Sequence, residues 1–232
     1  MRKSVFERKT NETTVKVKIN LDNTHDAEYD MASGAEYGVA EGVESGVVGG
    51  AEYDMAGYAG SGVAGGAGIN TGIGFFDHML NLFAFRAGIA LSVECKGDLE
   101  VDGHHTVEDV GISLGQAIQK ALEDKKGITR YGEASIPMDE CLASCALDIS
   151  GRPFLVFNAT FPTERIGSFE TELTEEFFRA LAFNSGMTLH INLVYGKNAH
   201  HMIEAMFKAF GCAFKQAAQI TGTGVQSTKG VL

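Results

Sequence analysis

His104-His105-Thr106-Val107-Glu108 returns as His200-His201-Met202-Ile203-Glu204, each time at the head of an Ala-rich amphipathic stretch. On a helix the first His and the Glu, four residues apart, share one face, while the second His points about 100° away. One turn therefore offers imidazole plus carboxylate on one side and imidazole alone on another. A single such turn is an ordinary feature of a surface helix. Two in one chain indicate a site built by duplication, with two metal ions.

The repetition extends outward from the two turns. Phe75-Phe76-Asp77-His78 precedes the first copy, followed by Ala87-Gly88-Ile89-Ala90-Leu91-Ser92-Val93 and then Gly97. Glu176-Phe177-Phe178 precedes the second, followed by Ser185-Gly186-Met187-Thr188-Leu189-His190-Ile191 and then Gly196. His78 stands ten residues before Gly88, and Glu176 ten before Gly186. Each half reads as helix, strand, short turn and a helix that opens with ligands. Helices are predicted at 75–85, 104–123, 170–183 and 200–218. Strands are predicted at 4–9, 13–19, 91–95, 128–137, 140–147, 153–158 and 188–194. The fold class is α+β: an internally duplicated subunit with two sheets and two helices per half. The halves span about 1–125 and 126–232 of a single domain.

Between Asp26 and Gly68 the chain changes character. Ala27-Glu28-Tyr29-Asp30-Met31-Ala32 recurs as Ala51-Glu52-Tyr53-Asp54-Met55-Ala56, and twelve of the 29 glycines lie between Gly34 and Gly68. Low complexity, glycine and one-signed charge predict a flexible inserted loop over 26–68. Loop closure entropy grows only logarithmically with length, so such an insertion is tolerated. It also carries eight acidic residues and no Lys or Arg, so the net charge of −11 leaves only about −3 for the rest of the chain. That balance excludes nucleic acid as an expected partner.

The chain is 232 residues long and 44% hydrophobic, with no apolar run of membrane-spanning length. Its N-terminus lacks an apolar signal stretch and reads as the first strand, so a cytoplasmic location is expected. Cys95, Cys141, Cys145 and Cys212 have neither zinc-knuckle nor disulfide-framework spacing and are expected to be small core residues. Isolated basic residues point to an anionic substrate. Arg130 opens a strand, Arg152 sits in the turn Ser150-Gly151-Arg152-Pro153, and Lys229 lies in Ser227-Thr228-Lys229-Gly230. Lys208 stands one helical turn beyond Glu204, on the same face. Two Arg and two Lys suit a phosphate, Arg as a bidentate fork and Lys as a point charge.

These residues together resemble the imidazoleglycerol-phosphate dehydratase family. The resemblance rests on Thr71-Gly72-Ile73-Gly74-Phe75-Phe76-Asp77-His78-Met79-Leu80, Asp102-Gly103-His104-His105-Thr106-Val107-Glu108-Asp109, Arg130-Tyr131-Gly132, Asp148-Ile149-Ser150-Gly151-Arg152-Pro153, Ser185-Gly186-Met187-Thr188-Leu189-His190, His200-His201-Met202-Ile203-Glu204-Ala205 and Ser227-Thr228-Lys229-Gly230-Val231-Leu232. It covers nearly everything except the insertion. It implies metal-dependent dehydration of D-erythro-imidazoleglycerol phosphate to imidazole-acetol phosphate in histidine biosynthesis, by a homo-oligomer of 24 subunits. Two Mn2+ ions per active site are implied, lying between subunits. His78, His104, His105, Glu108, His200, His201 and Glu204 match the family's metal ligands. Glu12 matches an active-site carboxylate; it, Glu108 and Glu204 are the candidates for proton transfer. Arg130, Arg152, Lys208, Thr228 and Lys229 match the phosphate contacts.

Three departures from the family pattern stand out. Arg86 occupies a position usually held by His near the phosphate, where a longer, permanently charged guanidinium still pairs with phosphate. Glu176 replaces a ligand His of some members and is expected to bind metal. The insertion falls in a short link ahead of a ligand helix. Arg86 and the insertion favour the alternative reading, a catalytically silent metal-binding shell protein of the same fold.

Overall fold

The structure is a computed structural model and describes residues 1–22, 68–230 and 232. The expectation of a flexible loop over 26–68 falls, except for Gly68, outside the described residues. Two short strands face the chain start. β1 (Lys3–Lys9) and β2 (Thr13–Asn20) form an antiparallel hairpin in which β2 buries every second side chain: Val15, Val17 and Ile19 point inward, Lys16 and Lys18 outward. β3 (Ile69–Asn70) leads into α1 (Gly74–Ala87), β4 (Ala90–Gly97) and α2 (His104–Ala121). The second half repeats the plan with β5 (Tyr131–Met138), β6 (Cys141–Asp148), β7 (Phe154–Asn158), the small hairpin β8 (Arg165–Ile166) and β9 (Phe169–Glu170), α3 (Leu173–Ser185), β10 (Thr188–Tyr195) and α4 (Ala199–Ala218).

The duplication is visible in the topology. One sheet runs β1-β2-β4-β3 and the other β5-β6-β10-β7, and in each the last strand is a parallel edge. Helices pack across the halves. α2 lies on the first sheet and against α3, whose other side meets β7; α4 lies on the second sheet and against α1, which reaches β3 and β4. One continuous core results, with Phe83, Phe177, Phe178, Phe207, Phe210 and Phe214 fully buried and their rings 4.8 to 6.0 Å apart along the chain of contacts. Each such ring contributes roughly 2–3 kcal/mol by leaving water.

The close helix contacts depend on glycine. A Cβ at Gly115 would stand 2.8 Å from the Leu181 carbonyl oxygen, and one at Gly211 would stand 2.9 Å from that of Phe83. These two positions are repeat counterparts, eleven residues after the first ligand His of each motif. They let α2 approach α3 and α4 approach α1 backbone to backbone, which brings residues of α1 within reach of the ligand turn of α4.

Element ends differ from expectation for identifiable reasons. The helix predicted to 123 stops at Ala121, because Glu123 (φ 50°) and Lys125 (φ 59°) turn left-handed. The strand predicted from 128 starts at Tyr131, because Arg130 (φ 76°) is left-handed too. The helix predicted from 170 starts at Leu173, since Phe169–Glu170 pairs with Arg165–Ile166 instead. β3, β8 and β9 are too short for periodicity to reveal. The four cysteines are free; Cys95, Cys141 and Cys145 are buried as expected, and burial pushes the Cys95 thiol up to about 11.

Candidate metal centre

Each ligand helix opens in the same way. Asp102 Oδ1 accepts the His104 backbone N–H at 2.8 Å and Asn198 Oδ1 accepts that of His200 at 2.9 Å, so both motifs begin on a side-chain acceptor two residues upstream. At the head of α4 the ligand atoms already converge. His78, on α1, points its Nε2 at Glu204 Oε2 (3.6 Å), and His200 Nε2 lies 3.2 Å from the same oxygen. The three ligand atoms lie within 4.8 Å of one another. Phe75 packs edge-on against the His200 ring at 5.0 Å and limits its rotation.

Glu204 is almost buried, which by itself pushes its pKa up. Hydrogen bonds from His200, His78 and Lys208, together with the Lys208 charge, outweigh burial and hold the carboxyl well below its usual range. Lys208 Nζ sits 2.5 Å from Oε1 and 3.3 Å from the Met138 sulfur. Two imidazoles and an ionised carboxylate make a donor set that fits a divalent first-row metal, without selecting one. The first half is not gathered in this way. Glu108 and His104 form no ion pair with each other or with Glu176 among the described residues. Glu176 lies in the first turn of α3 with its Oε2 3.7 Å from Arg179 Nε. The expectation that it faces metal is thus not matched by a contact to any predicted ligand within this chain.

The second His of each motif lies apart from the first, as the helical phase requires. His105 Nδ1 is 3.0 Å from Asp98 Oδ2, and its Nε2 is 3.8 Å from Glu12 Oε1. The hydrogen bond to Asp98 raises the His105 pKa. His201 Nδ1 is 2.8 Å from Glu140 Oε2, and its Nε2 is 3.8 Å from Asp139. The His201 contact, then backbone N–H and Cys141 contacts, hold Glu140 well below its ordinary range.

The profile of the imidazoleglycerol-phosphate dehydratase family matches residues 71–214. The chain belongs to the imidazoleglycerol-phosphate dehydratase family. The dehydratase of Acetivibrio thermocellus is 61% identical over 166 residues, 71% of this chain and 85% of that one. That of Listeria monocytogenes serotype 4b is 57% identical over 166 residues, 71% of this chain and 86% of its own. The crystal structure of the Staphylococcus aureus dehydratase superposes with a TM-score of 0.70 at 37% identity, covering 94% of this chain and all of that one. The Pyrococcus furiosus structure, in complex with (S)-C348, gives 0.70 at 30% identity over 97% and 99%. Imidazoleglycerol-phosphate dehydratases are metal-dependent hydro-lyases of histidine biosynthesis, and dehydration of imidazoleglycerol phosphate is the function of this chain.

The residues expected to hold the dehydratase's phosphate fall in three places. Lys208 belongs to the α4 metal cluster. Arg130 lies at the other end of α4, where its backbone N–H donates to the Ala217 carbonyl at 2.9 Å. Its guanidinium forks onto Asp148 at 2.7 and 3.0 Å and donates to the Gln226 carbonyl at 2.7 Å, tying down the segment that carries Thr228 and Lys229. Arg152 stands 3.5 Å from the same Asp148 and is mostly exposed. Arg86, at the end of α1, lies 5.6 Å from the Phe85 ring centroid. Glu12 is exposed at the β1–β2 turn, beside His105.

Three residues of the site were not foreseen from the sequence: Asp98, Glu140 and Asp109. Asp109 is buried and accepts from Arg8 Nε at 2.8 Å and from the Thr13 hydroxyl, clamping the hairpin that carries Glu12 onto α2. An acid just before a ligand helix (Asp98) and one inside the motif (Asp109) were visible signals, but nothing in the sequence spacing pairs either with its partner.

Proposed function

We propose that the dehydration uses two Mn2+ ions per active site, held by His78, His104, His105, Glu108, Glu176, His200, His201 and Glu204. The product is imidazole-acetol phosphate. The observation that carries this reading is the convergence of His78, His200 and Glu204 from two helices onto one point. When bound by these residues, the ions would supply Lewis acidity toward the substrate ring and its departing hydroxyl. Glu12 is exposed, adjoins His105 and is free to accept the carbon-bound proton. Glu108 and Glu204 serve as ligands and as further candidates for the second proton. Arg130, Arg152, Lys208, Thr228 and Lys229, with Arg86, orient the phosphate rather than take part in bond breaking.

A complete site needs more than one copy of the chain. The His200 turn and the backbone partner of Arg130 are separated by the length of α4, seventeen residues or roughly 25 Å at 1.5 Å per residue. That exceeds the reach of an imidazole ring, three carbons and a phosphate. Exposed Val5, Val101, Tyr131, Phe154, Val194 and Tyr195 supply apolar surface for assembly. The proposed assembly is the 24-subunit shell with sites between subunits. No helix among the described residues is long and apolar enough to cross a membrane, and the proposed location is the cytoplasm.

Turnover of imidazoleglycerol phosphate, measured with metal content on the same sample, tests the reading. Chelation should abolish turnover and Mn2+ should restore it. Full metal occupancy without turnover would instead sink the assignment of these residues to catalysis.

A further inference from the structure

The sheet registers reveal a repeat partner for Glu12. Thr13 pairs with Gly97 across β2 and β4, and the β6–β10 register, shifted once between Leu193 and Tyr195, ends with Tyr195 opposite Leu142, which leaves Gly196 against Cys141. The two hairpins match residue for residue, Lys3 facing Asn20 as Tyr131 faces Asp148. Glu12, just before Thr13, therefore corresponds to Glu140, just before Cys141. Each half carries a carboxylate at the same turn, against the second His of its own motif. The two carboxylates are nevertheless used differently.

Glu140 is fully engaged. Its Oε1 accepts from the backbone N–H groups of Asn198 (2.7 Å) and Lys197 (3.2 Å) and from the Cys141 thiol (3.1 Å), while Oε2 faces His201 Nδ1 at 2.8 Å. Glu140, Cys141 and His201 bring three ligand atoms within 4.8 Å, but an oxygen already accepting three donors belongs to a hydrogen-bond network. Among the described residues Glu12 makes no such side-chain bonds and approaches only His105 Nε2, at 3.8 Å. In the first half the Nδ1 partner is Asp98, at 3.0 Å. Asp98 follows Gly97 as Lys197 follows Gly196, so the second half has a lysine where the first has this acid.

We propose that Asp98 and Glu140 are positioning residues that hold His105 and His201 with Nδ1–H inward and the Nε2 lone pair outward for metal. By serving His105 from the preceding loop, Asp98 frees Glu12 for proton transfer. A histidine that ligates through Nε2 needs its proton on Nδ1, and a carboxylate there fixes both tautomer and ring direction. Glutamine at 140 cannot meet both demands. If its oxygen keeps the Lys197 and Asn198 N–H groups, its amide N–H faces His201 Nδ1 and drives the proton to Nε2.

The inference rests on His105 and His201 being metal ligands, and the test separates the two claims. Full-length protein is stripped with chelator, and Mn2+ binding is followed by the electron paramagnetic resonance of free Mn2+. Glu140→Gln should weaken Mn2+ binding about 10- to 100-fold, and Asp98→Ala, which leaves the His105 Nδ1–H without its acceptor, should do so by a similar factor. Adding Lys197→Asp to Glu140→Gln supplies the acid at the Asp98 position and should restore most of the affinity, which a merely structural turn residue would not allow. Failure of that rescue assigns Glu140 to the turn alone and overturns the proposal. So does wild-type affinity in Glu140→Gln while His201→Ala loses metal. Wild-type affinity in His201→Ala as well would overturn the ligand reading beneath it. If Glu140→Gln does not fold, Asp98→Ala in the loop after β4 decides, and unchanged Mn2+ affinity there overturns the proposal.

Discussion

The two halves share strand order, helix caps and glycine contacts, yet the ligand turn of α4 is gathered and that of α2 is not. His78, His200 and Glu204 meet within 4.8 Å, whereas Glu176, the repeat counterpart of His78, lies beside Arg179. The divergence lies in the polar residues laid over a common frame. Lys208 in α4 corresponds to Ile112 in α2, and Asp109 in α2 corresponds to Ala205 in α4. One copy spends its extra charge on preparing Glu204 and the other on clamping the Glu12 hairpin. Duplication supplied two equivalent frames, and single substitutions divided the labour between them.

Removing the two motif carboxylates should break the symmetry of that comparison most strongly. Glu204→Ala and Glu108→Ala should each lower kcat by about 10³-fold or more, several kcal/mol of lost charge stabilisation. Their stabilities without metal should differ. Glu204→Ala leaves Lys208, 12% exposed, with only the Met138 sulfur beside its ammonium among the described residues, and should cost about 2 kcal/mol. Glu108 makes no ion pair among the described residues, so Glu108→Ala should leave the Tm of the chelated protein nearly unchanged. Thermal unfolding in chelator checks this, and equal losses would show that α4 is no better prepared than α2.

Next in size are the shared glycines. Gly115→Ala and Gly211→Ala should each destabilise by about 1–3 kcal/mol, although alanine is favoured over glycine in a helix by about 1 kcal/mol. In denaturant titrations a gain in stability at either position would mean that the helix pair there opens without cost. Arg130 and Arg2 offer a third comparison, since each precedes the first strand of its half, forks onto a carboxylate and donates to a distant carbonyl. Arg130→Met should raise KM about tenfold or more by releasing the segment that bears Thr228 and Lys229. Arg2→Met should leave KM unchanged.

The sequence carried most of the frame, because the motif repeat, the paired αL glycines Gly88 and Gly186, and alternating strands such as β2 are local signals. It also supplied the proposed ligand set, of which His78, His200 and Glu204 lie together. It did not carry the convergence of His78 with Glu204, which depends on α1 crossing to the other half and on the contact at Gly211. Nor did it reveal Glu140, 61 residues from its histidine, whose equivalence to Glu12 emerges only from strand register. The left-handed backbone at Arg130 likewise follows from packing against Ala217, and no glycine marks it.

The smallest expected effect is electrostatic and concerns the Arg2 pair. Burial pushes the Asp22 carboxyl up, but the Arg2 side chain and backbone N–H, bonded at 2.8 and 2.6 Å, outweigh it and hold the carboxyl below its ordinary value. A depressed folded value means that the pair's contribution is complete above the unfolded Asp value of about 3.9. It is lost as pH falls through the folded value. The pair is partly exposed and open to salt, so the contribution should be about 1 kcal/mol or less. Arg2→Met should therefore lower stability slightly at neutral pH and by less as the solution is acidified below pH 4. Wild type and variant should converge in acid urea titrations. A gap that stayed constant down to the acid limit would assign the Arg2 contribution to its bond with the Ala218 carbonyl, and so to the end of α4 rather than to the first sheet.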